Sequence, residues 1–470
     1  MLDRLHRSER VVPMKKYLVC GLARSGFAAA KLLLSRGFSV TVADKMPLSS
    51  FKQDKLEHID ELSNMGAKFL FGQNPDSIVK YFDTIVISPG IPIDSEFIIK
   101  ADSLAIPVIG EIELGYKICA CPIAAITGTN GKTTAVTITG EIFKKCFPGS
   151  MTLGNIGAAF CEKAAEMKQG AWVALETSSF QLESVRDFRP KIAAVLNISE
   201  DHLNRHYTME KYIKSKERIF AKQDATDTLV LNYDDNITRG MASRAKSRPA
   251  FFSMNGEPDP AKTGDSRCIF ISGNDIVYRY KNYYETMWDS RAMRTPFKHI
   301  LEDALAAALV AISAGADMKT ISQTVLEFKG VEHRVELIAV IDDIEYYNDS
   351  KATNIDATVK ALTAVEGKVI LIAGGQDKKV DFAPLTSLFH EKVNKLVLFG
   401  ETSKQIEKSC INIGFSNIES VSDLRQAVAS AKWAAKPGDR VLLSPACASL
   451  DMFNDYEERG NLFKQYVNEV

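Results

Sequence analysis

No apolar run in this chain approaches the ~20 residues needed to cross a bilayer as a helix. Neither a CxxC pair nor a His/Cys cluster at ligand spacing occurs; the eight cysteines are scattered, and Cys119-Ala120-Cys121 is the one close pair. That argues against a disulfide framework or structural zinc and for reduced thiols in a cytosol. Net charge is nearly absent: at -1 it gives no electrostatic case for nucleic acid or a membrane surface. Internal repeats and low-complexity tracts are missing as well. The stretch Met1 to Pro13 is charged and lacks the apolar segment of a signal peptide, so Met14 is an alternative start, with a disordered extension before it. What is present is ordinary globular composition, 46% hydrophobic and 25% charged, over 470 residues. That length exceeds one core and calls for two to four domains.

The most informative stretch is Gly128-Thr129-Asn130-Gly131-Lys132-Thr133-Thr134. It follows the apolar run Ile123-Ala124-Ala125-Ile126, which reads as a buried strand, and precedes Ala135 to Phe143, which reads as a helix. Strand, glycine loop, Lys-Thr and helix make a phosphate cradle, because glycines let backbone N–H groups close on phosphate oxygens and the helix N-terminus favours negative charge. Lys132 is then placed for the β/γ-phosphates and Thr133 for Mg²⁺. The general pattern has a glycine five positions before Gly131, where this chain has Ile126, so the loop is a variant.

Ahead of it, Lys16 to Cys20 reads as a strand, Gly21-Leu22-Ala23-Arg24-Ser25-Gly26 as a turn into a helix through about Ser35, and Ser39 to Ala43 as a second strand ending at Asp44. This is a βαβ nucleotide-binding start. The Cβ of Ala23, where the dinucleotide fingerprint requires glycine, argues against NAD and leaves a different nucleotide at the same crevice. Asp44 suits either a base or ribose contact or a solvated strand end. Thr84 to Ile87 runs into a turn, Ser88-Pro89-Gly90, at the same edge.

A second unit begins near Glu111, with later strands at Trp172 to Leu175, Ile192 to Asn197 and Thr228 to Asn232. The stretch from Asn236 to Phe297 is polar and reads as a variable edge region, followed by a strong helix from Leu301 to Val310. A third unit from Val331 opens with a hairpin, Val335 to Tyr347, turning at Asp342-Asp343. Its strands Val369 to Ala373, Lys395 to Phe399 and Arg440 to Leu443 alternate with helices, the mark of a parallel α/β sheet. The reading is three α/β domains in series, 1–110, 111–330 and 331–470, the middle one an ATPase.

Several residues at strand ends carry chemistry. Glu176 follows an apolar strand and is placed for Mg²⁺; Asn197 leads into Glu200-Asp201-His202. By composition alone Lys214-Ser215-Lys216-Glu217-Arg218 reads as a solvated helix face. In the third unit, Asn348 to Asn354, Gly374 to Lys379 and Ser444 to Ser449 each follow a strand, and all three belong at one carboxyl edge where such sheets bind ligands.

Together these motifs resemble the Mur ligase family from Lys15 onward. The resemblance rests on the phosphate loop, Gly154-Asn155-Ile156-Gly157, Glu176 to Glu183, Asn197 to His202, His333-Arg334-Val335-Glu336, Asn348 to Asn354 and Ser444 to Asp451, the last two runs pointing to its D-glutamate-adding member. It implies a Rossmann-like UDP-binding domain, a central P-loop domain with a mostly parallel sheet, and a C-terminal Rossmann-like domain. It also implies ATP-driven amide formation through an acyl phosphate, in cytoplasmic peptidoglycan precursor synthesis. The substrates would be UDP-N-acetylmuramoyl-L-alanine and D-glutamate, with no nucleic acid, no membrane span and a monomeric chain. By similarity Lys132, Glu176, His202 and Lys216 are catalytic. Thr133, Glu176, His202 and a carbamylated Lys216 would hold two Mg²⁺ ions. ATP contacts fall on residues Gly128 to Thr134, Asp303, Arg334, Asp349 and Lys351. UDP-substrate contacts fall on Arg24, Ser25, Asp44, Lys45, Gly90, Asn155, Ser178 and Gln181, and the D-glutamate pocket on Thr353, Lys378, Ser449, Leu450 and Tyr456. The family carries His-Asn-x-x-Asn where this chain has His299-Ile300-Leu301-Glu302-Asp303, which puts a carboxylate in place of an amide that would face adenine. Two alternatives are a family ligase for another amino acid and a P-loop ATPase without ligase activity.

Overall fold

In a computed structural model, residues 14–294, 298–377 and 380–469 are described. The expected extension Met1 to Pro13 and Lys378 lie outside them. The chain packs as two units, one running to Met293 and including Glu302–Leu326, the other comprising Arg294–Leu301 and the chain from Glu327 onward.

The first unit holds two sheets. β1 (Lys16–Cys20), β2 (Ser39–Asp44), β3 (Lys68–Phe71), β4 (Thr84–Ile87) and β5 (Val108–Gly110) pair in the order β3-β2-β1-β4-β5, all parallel. Strand order reverses between β1 and β4, so the turns after them, Gly21–Gly26 and Ser88–Gly90, share one crevice. Gly21 has φ +88, and a Cβ on Gly26 would lie 1.8 Å from the Gly21 carbonyl oxygen. The helix Arg24–Ser35 can therefore start this close to the turn only with glycine there.

The second sheet comprises β6 (Ile123–Thr127), β7 (Met151–Gly154), β8 (Val173–Glu176), β9 (Ile192–Val195), β10 (Thr228–Asn232), β11 (Arg248–Ser253), β12 (Cys268–Ser272), β13 (Asp275–Tyr280) and β14 (Tyr283–Asp289). Their order is β14-β13-β12-β11-β10-β9-β6-β8-β7, parallel except at β12-β13-β14. Strands β6, β8, β9 and β10 are buried throughout, as their unbroken apolar runs require when both faces are covered. The region read as a polar edge, 236–297, instead supplies the helix Asn236–Met241 and four strands. Its alternation is masked because β13 and β14 place tyrosines, a glutamate and an arginine among their apolar positions. Register also shifts between Ile276 and Val277, which breaks the period of two.

The second unit holds β15 (Glu336–Ile341), β16 (Ile344–Asn348), β17 (Val369–Ala373), β18 (Val393–Leu398), β19 (Ile418–Ser420) and β20 (Arg440–Leu443), in the order β15-β16-β20-β17-β18-β19. Only β15-β16 is antiparallel; Asp342 and Asp343 sit at φ +52 and +63, the geometry of a two-residue hairpin turn. Since β20 lies between β16 and β17, the loops after all three emerge side by side.

Gly26→Ala is expected to destabilise the first unit by about 1–3 kcal/mol, the usual range for overpacking. Gly90→Ala, whose Cβ would meet nothing within 4 Å, should be neutral. Equal denaturant midpoints for the two variants would show that the helix–turn approach is not the constraint.

Candidate active site

The phosphate loop forms where β6 ends. Ile126, which stands in place of the expected glycine, is the fully buried penultimate residue of that strand, so the turn begins only at Gly128. Gly131 has φ +80 and precedes the helix Lys132–Cys146; a Cβ there would lie 1.9 Å from Asp303 Oδ1. Asp303 is buried with its carboxylate against the phosphate loop. Asn197, just beyond β9, latches the loop. Its Oδ1 accepts from Asn130 N at 2.8 Å, its Nδ2 donates to Asn130 O at 3.3 Å, and its carbonyl accepts from Thr129 N at 3.0 Å. The Thr129 hydroxyl accepts from Ser199 N at 3.0 Å and shares a hydrogen bond with the Tyr212 hydroxyl at 3.0 Å. Lys132 Nζ donates to the carbonyls of Gly128 at 3.0 Å and Thr129 at 2.8 Å, while Thr133 and Thr134 are buried at the helix start. The positive end of the helix dipole thus faces the loop, which suits an anion.

Glu176 closes β8 directly beside Ile126, and on its other side pairs with Gly154. Its side chain is buried; Oε1 accepts from Asn155 Nδ2 at 2.9 Å, and Oε2 has no hydrogen-bond partner among the described residues. A buried carboxylate oxygen without a donor is costly unless a cation meets it. Ser178 and Gln181 form a capping box at the helix Ser179–Leu182. Arg24, from the first sheet's turn, donates to the carbonyls of Gly154 and Gly157, each at 2.9 Å. Ser25 is half-buried; Lys45 and Gly90 are exposed. Asp44 Oδ2 accepts from Leu22 N at 2.8 Å and Oδ1 from Met46 N at 3.0 Å, so this carboxylate shapes the turn as well as ending a strand.

Lys216 does not lie on a solvated face. Both it and Ser215 are buried in the helix Met209–Glu217, where the Ser215 hydroxyl donates to Ser179 O at 2.7 Å. Lys216 Nζ donates to Gly128 O at 2.7 Å and lies 4.8 Å from the centre of the Tyr212 ring. Burial, then the charge of Lys132, push its pKa well below the ordinary lysine value, partly offset by Asp201. Composition missed this because the helix is charged overall; the signal was Tyr212 and Lys216 at i,i+4 on one face. His202 is exposed at φ +53, its ring 4.9 Å from that of Phe180 and Nε2 3.4 Å from Asp201 Oδ2.

In the second unit, Asp349 is buried at the end of β16. Its Oδ2 accepts from the Ser444 hydroxyl at 2.7 Å and its Oδ1 from Val335 N at 3.2 Å; burial raises its pKa to about 7, against the pull of Ser444 and Arg334. Arg334 is exposed, Lys351 lies 5.2 Å from the Tyr456 ring centre, and Thr353 N donates to Lys351 O at 2.8 Å. Ser449 is buried, Leu450 is exposed, and the Tyr456 hydroxyl donates to Glu457 at 2.9 Å. Arg459 was not singled out from sequence. Fully buried, it donates to the Ser350 hydroxyl, Ser350 O and Cys447 O, joining two of the three loops.

Asn197→Ala removes two side-chain hydrogen bonds worth about 0.5–1.5 kcal/mol each and is expected to raise the KM for a nucleoside triphosphate about tenfold. An unchanged KM in steady-state assays would count against the latch.

The sequence matches family models for the Mur ligase MurD-like N-terminal domain over residues 15–110, the Mur ligase middle domain over 126–311 and the Mur ligase glutamate ligase domain over 333–447. The UDP-N-acetylmuramoylalanine--D-glutamate ligase of Caldicellulosiruptor bescii is 42% identical over 97% of this chain and 98% of its own length. That of Clostridioides difficile is 40% identical over 97% and 99%. Among solved structures, UDP-N-acetylmuramate-alanine ligase MurC from Thermotoga maritima shares the fold at TM-score 0.56 and 17% identity, covering 97% of this chain and 99% of that one. A pseudomurein peptide ligase type C from Methanothermus fervidus does so at 0.54 and 18%, over 97% and 99%. With relatives matched along nearly its whole length and three family domains in series, the chain belongs to the Mur ligase family.

Proposed function

We propose that this protein is an ATP-dependent acid–amino-acid ligase that adds D-glutamate to UDP-N-acetylmuramoyl-L-alanine in peptidoglycan precursor synthesis. The observation that carries this is 42% identity to a D-glutamate ligase across 97% of the chain. Both substrates and ATP are cytoplasmic metabolites, which makes the cytoplasm its place of work; among the described residues no helix is long and apolar enough to cross a membrane.

The acceptor carboxylate attacks the γ-phosphorus, the bond to the bridging oxygen breaks, and ADP leaves an acyl phosphate. The D-glutamate amine then attacks the carbonyl carbon; phosphate departs with the C–O electron pair and the amine loses a proton. Little covalent work falls to the protein in such transfers, so positioning and charge stabilisation dominate. Lys132 neutralises charge on the transferring phosphoryl group while the glycine loop and helix start bind its oxygens. Arg24, Ser25, Asp44, Lys45 and Gly90 hold the UDP end of the acceptor, and Asn155, Ser178 and Gln181 its muramoyl end. In the second unit Arg334, Asp349 and Lys351 contact nucleotide, and Thr353, Lys378, Ser449, Leu450 and Tyr456 bind D-glutamate.

The donor set fits Mg²⁺. Glu176 Oε2 is a buried hard oxygen without a hydrogen-bond partner among the described residues, and Thr133 is the second residue of the helix that follows the strand beside it. No group of three His, Cys, Asp or Glu side chains is poised for a metal among the described residues. Thr133 and Glu176 would hold one ion, and His202 with Lys216 a second. When bound, the ions would offset the negative charge of the phosphate groups. A lysine held neutral by burial can add CO₂, losing one proton to give an anionic carbamate; the depressed pKa of Lys216 supports that modification.

Phosphate release is expected only when UDP-N-acetylmuramoyl-L-alanine, MgATP and D-glutamate are all present; equal turnover with L-glutamate would refute the substrate assignment. Lys216→Ala and Lys216→Arg should both lose most activity, and acetate should restore part of it to the alanine variant alone. Full activity of Lys216→Arg, or an unmodified Lys216 in mass spectra taken without acid, would rule out the carbamate.

A further inference from the structure

The turn that joins the first two sheets carries two glutamates that no step above uses. Gly110 ends β5, and Glu111 and Glu113 lie in the first turn of the helix Glu111–Ile118. Both carboxylates are buried, at 2% and 0% exposure, which is costly unless donors meet them. The donors come from two loops of the second sheet. Glu113 accepts from the backbone N–H groups of Arg186 at 2.9 Å, Asp187 at 3.0 Å and Phe188 at 3.0 Å, and pairs with Lys117 at 3.3 Å. Glu111 Oε1 accepts from Cys161 N at 2.5 Å, and Cys161 Sγ donates back to Glu111 O at 3.2 Å.

The surrounding contacts follow the same division. Gly110 N donates to Ser184 O at 3.0 Å, and a Cβ on Gly110 would lie 2.2 Å from Ser184 Oγ. A Cβ on Gly115 would lie 2.6 Å from the ring of Phe160. Glu111 and Gly115 therefore grip the segment 154–161 after β7, and Gly110 and Glu113 grip the segment 178–188 after β8. The first segment carries Asn155, which holds Glu176; the second carries Ser178 and Gln181. Arg24 holds the first segment at two further carbonyls from the UDP side.

We infer that Glu111 and Glu113 are positioning residues that set the spacing of the two acceptor-binding loops. The inference rests on the acceptor site assigned above. Neither carboxylate lies among the phosphate-loop contacts, so their loss should act on the acceptor and leave ATP binding alone. An ordinary stabilising role would instead lower the folded fraction and leave both KM values of the remaining enzyme intact.

The test uses full-length Glu113→Gln and Glu111→Gln. An amide offers one oxygen and turns an N–H group toward the loop donors, so Glu113→Gln should be the more severe. Its acceptor KM is expected to rise about tenfold to a hundredfold, the scale of an ångström-sized misplacement, with the MgATP KM within about twofold of wild type. Hydrogen exchange should show lost protection at residues 186–188 in Glu113→Gln and at Cys161 in Glu111→Gln, with the amides of β6 unchanged. If either variant fails to fold, the aspartate substitution keeps the charge and shortens the reach, with the same acceptor-selective effect expected. Faster exchange with an unchanged acceptor KM, or parallel rises in both KM values, would overturn the inference. Failure of the wild type to use UDP-N-acetylmuramoyl-L-alanine would instead overturn the substrate reading, and the exchange pattern would still judge the clamp.

Discussion

Two lysine amines donate to one carbonyl oxygen, that of Gly128. Two ammonium groups so placed in a buried site repel each other more strongly than they would in water. The conflict is resolved by neutralising one amine, by bringing an anion, or both. Lys216, the more buried, is the one whose proton is destabilised; Lys132 heads the helix whose N-terminus already favours negative charge. Burial first, and then this repulsion, lowers the basicity of Lys216, and the same repulsion favours an anion beside the two amines. Asn197, Tyr212 and Asp303 all serve to hold the loop that creates it.

Strand order explains why these groups meet. Because β6 lies between β8 and β9, the loop after it is flanked by Glu176 and Asn197, residues 21 positions apart in sequence. In the second unit β20 between β16 and β17 does the same for Asp349, Ser444 and Gly374. The buried Arg459 guanidinium then fixes two of those loops through backbone carbonyls and a hydroxyl.

Much of this was legible in the sequence where local signals agree with the final packing. An apolar run, a glycine turn and a helix start are all needed to form the phosphate loop, and all lie within a few residues. The βαβ opening and the Asp342-Asp343 hairpin are local in the same sense. Lys216 was misread from composition because burial of a charged helix depends on what packs over it, namely the Ser179 helix and the phosphate loop. Strands β13 and β14 were hidden because polar and aromatic residues interrupt their periodicity. Glu111 and Glu113 gave no sequence signal at all: their partners are backbone amides some 50 to 75 residues away, and a backbone donor leaves no mark in a side-chain pattern.

The irregular outer hairpin has a colloidal consequence. A nine-stranded sheet must end somewhere, and a straight, apolar last strand would template a second molecule. Here the edge is β14, with Tyr283 and Tyr284 turned to solvent and Tyr283 bound to Glu285, while the register shift beside it sharpens the local twist. An incoming strand would meet a rim that carries Glu285 and Asp289 and lies beside a register shift. The bulge thus guards against edge-to-edge self-association during folding, when the edge is most exposed.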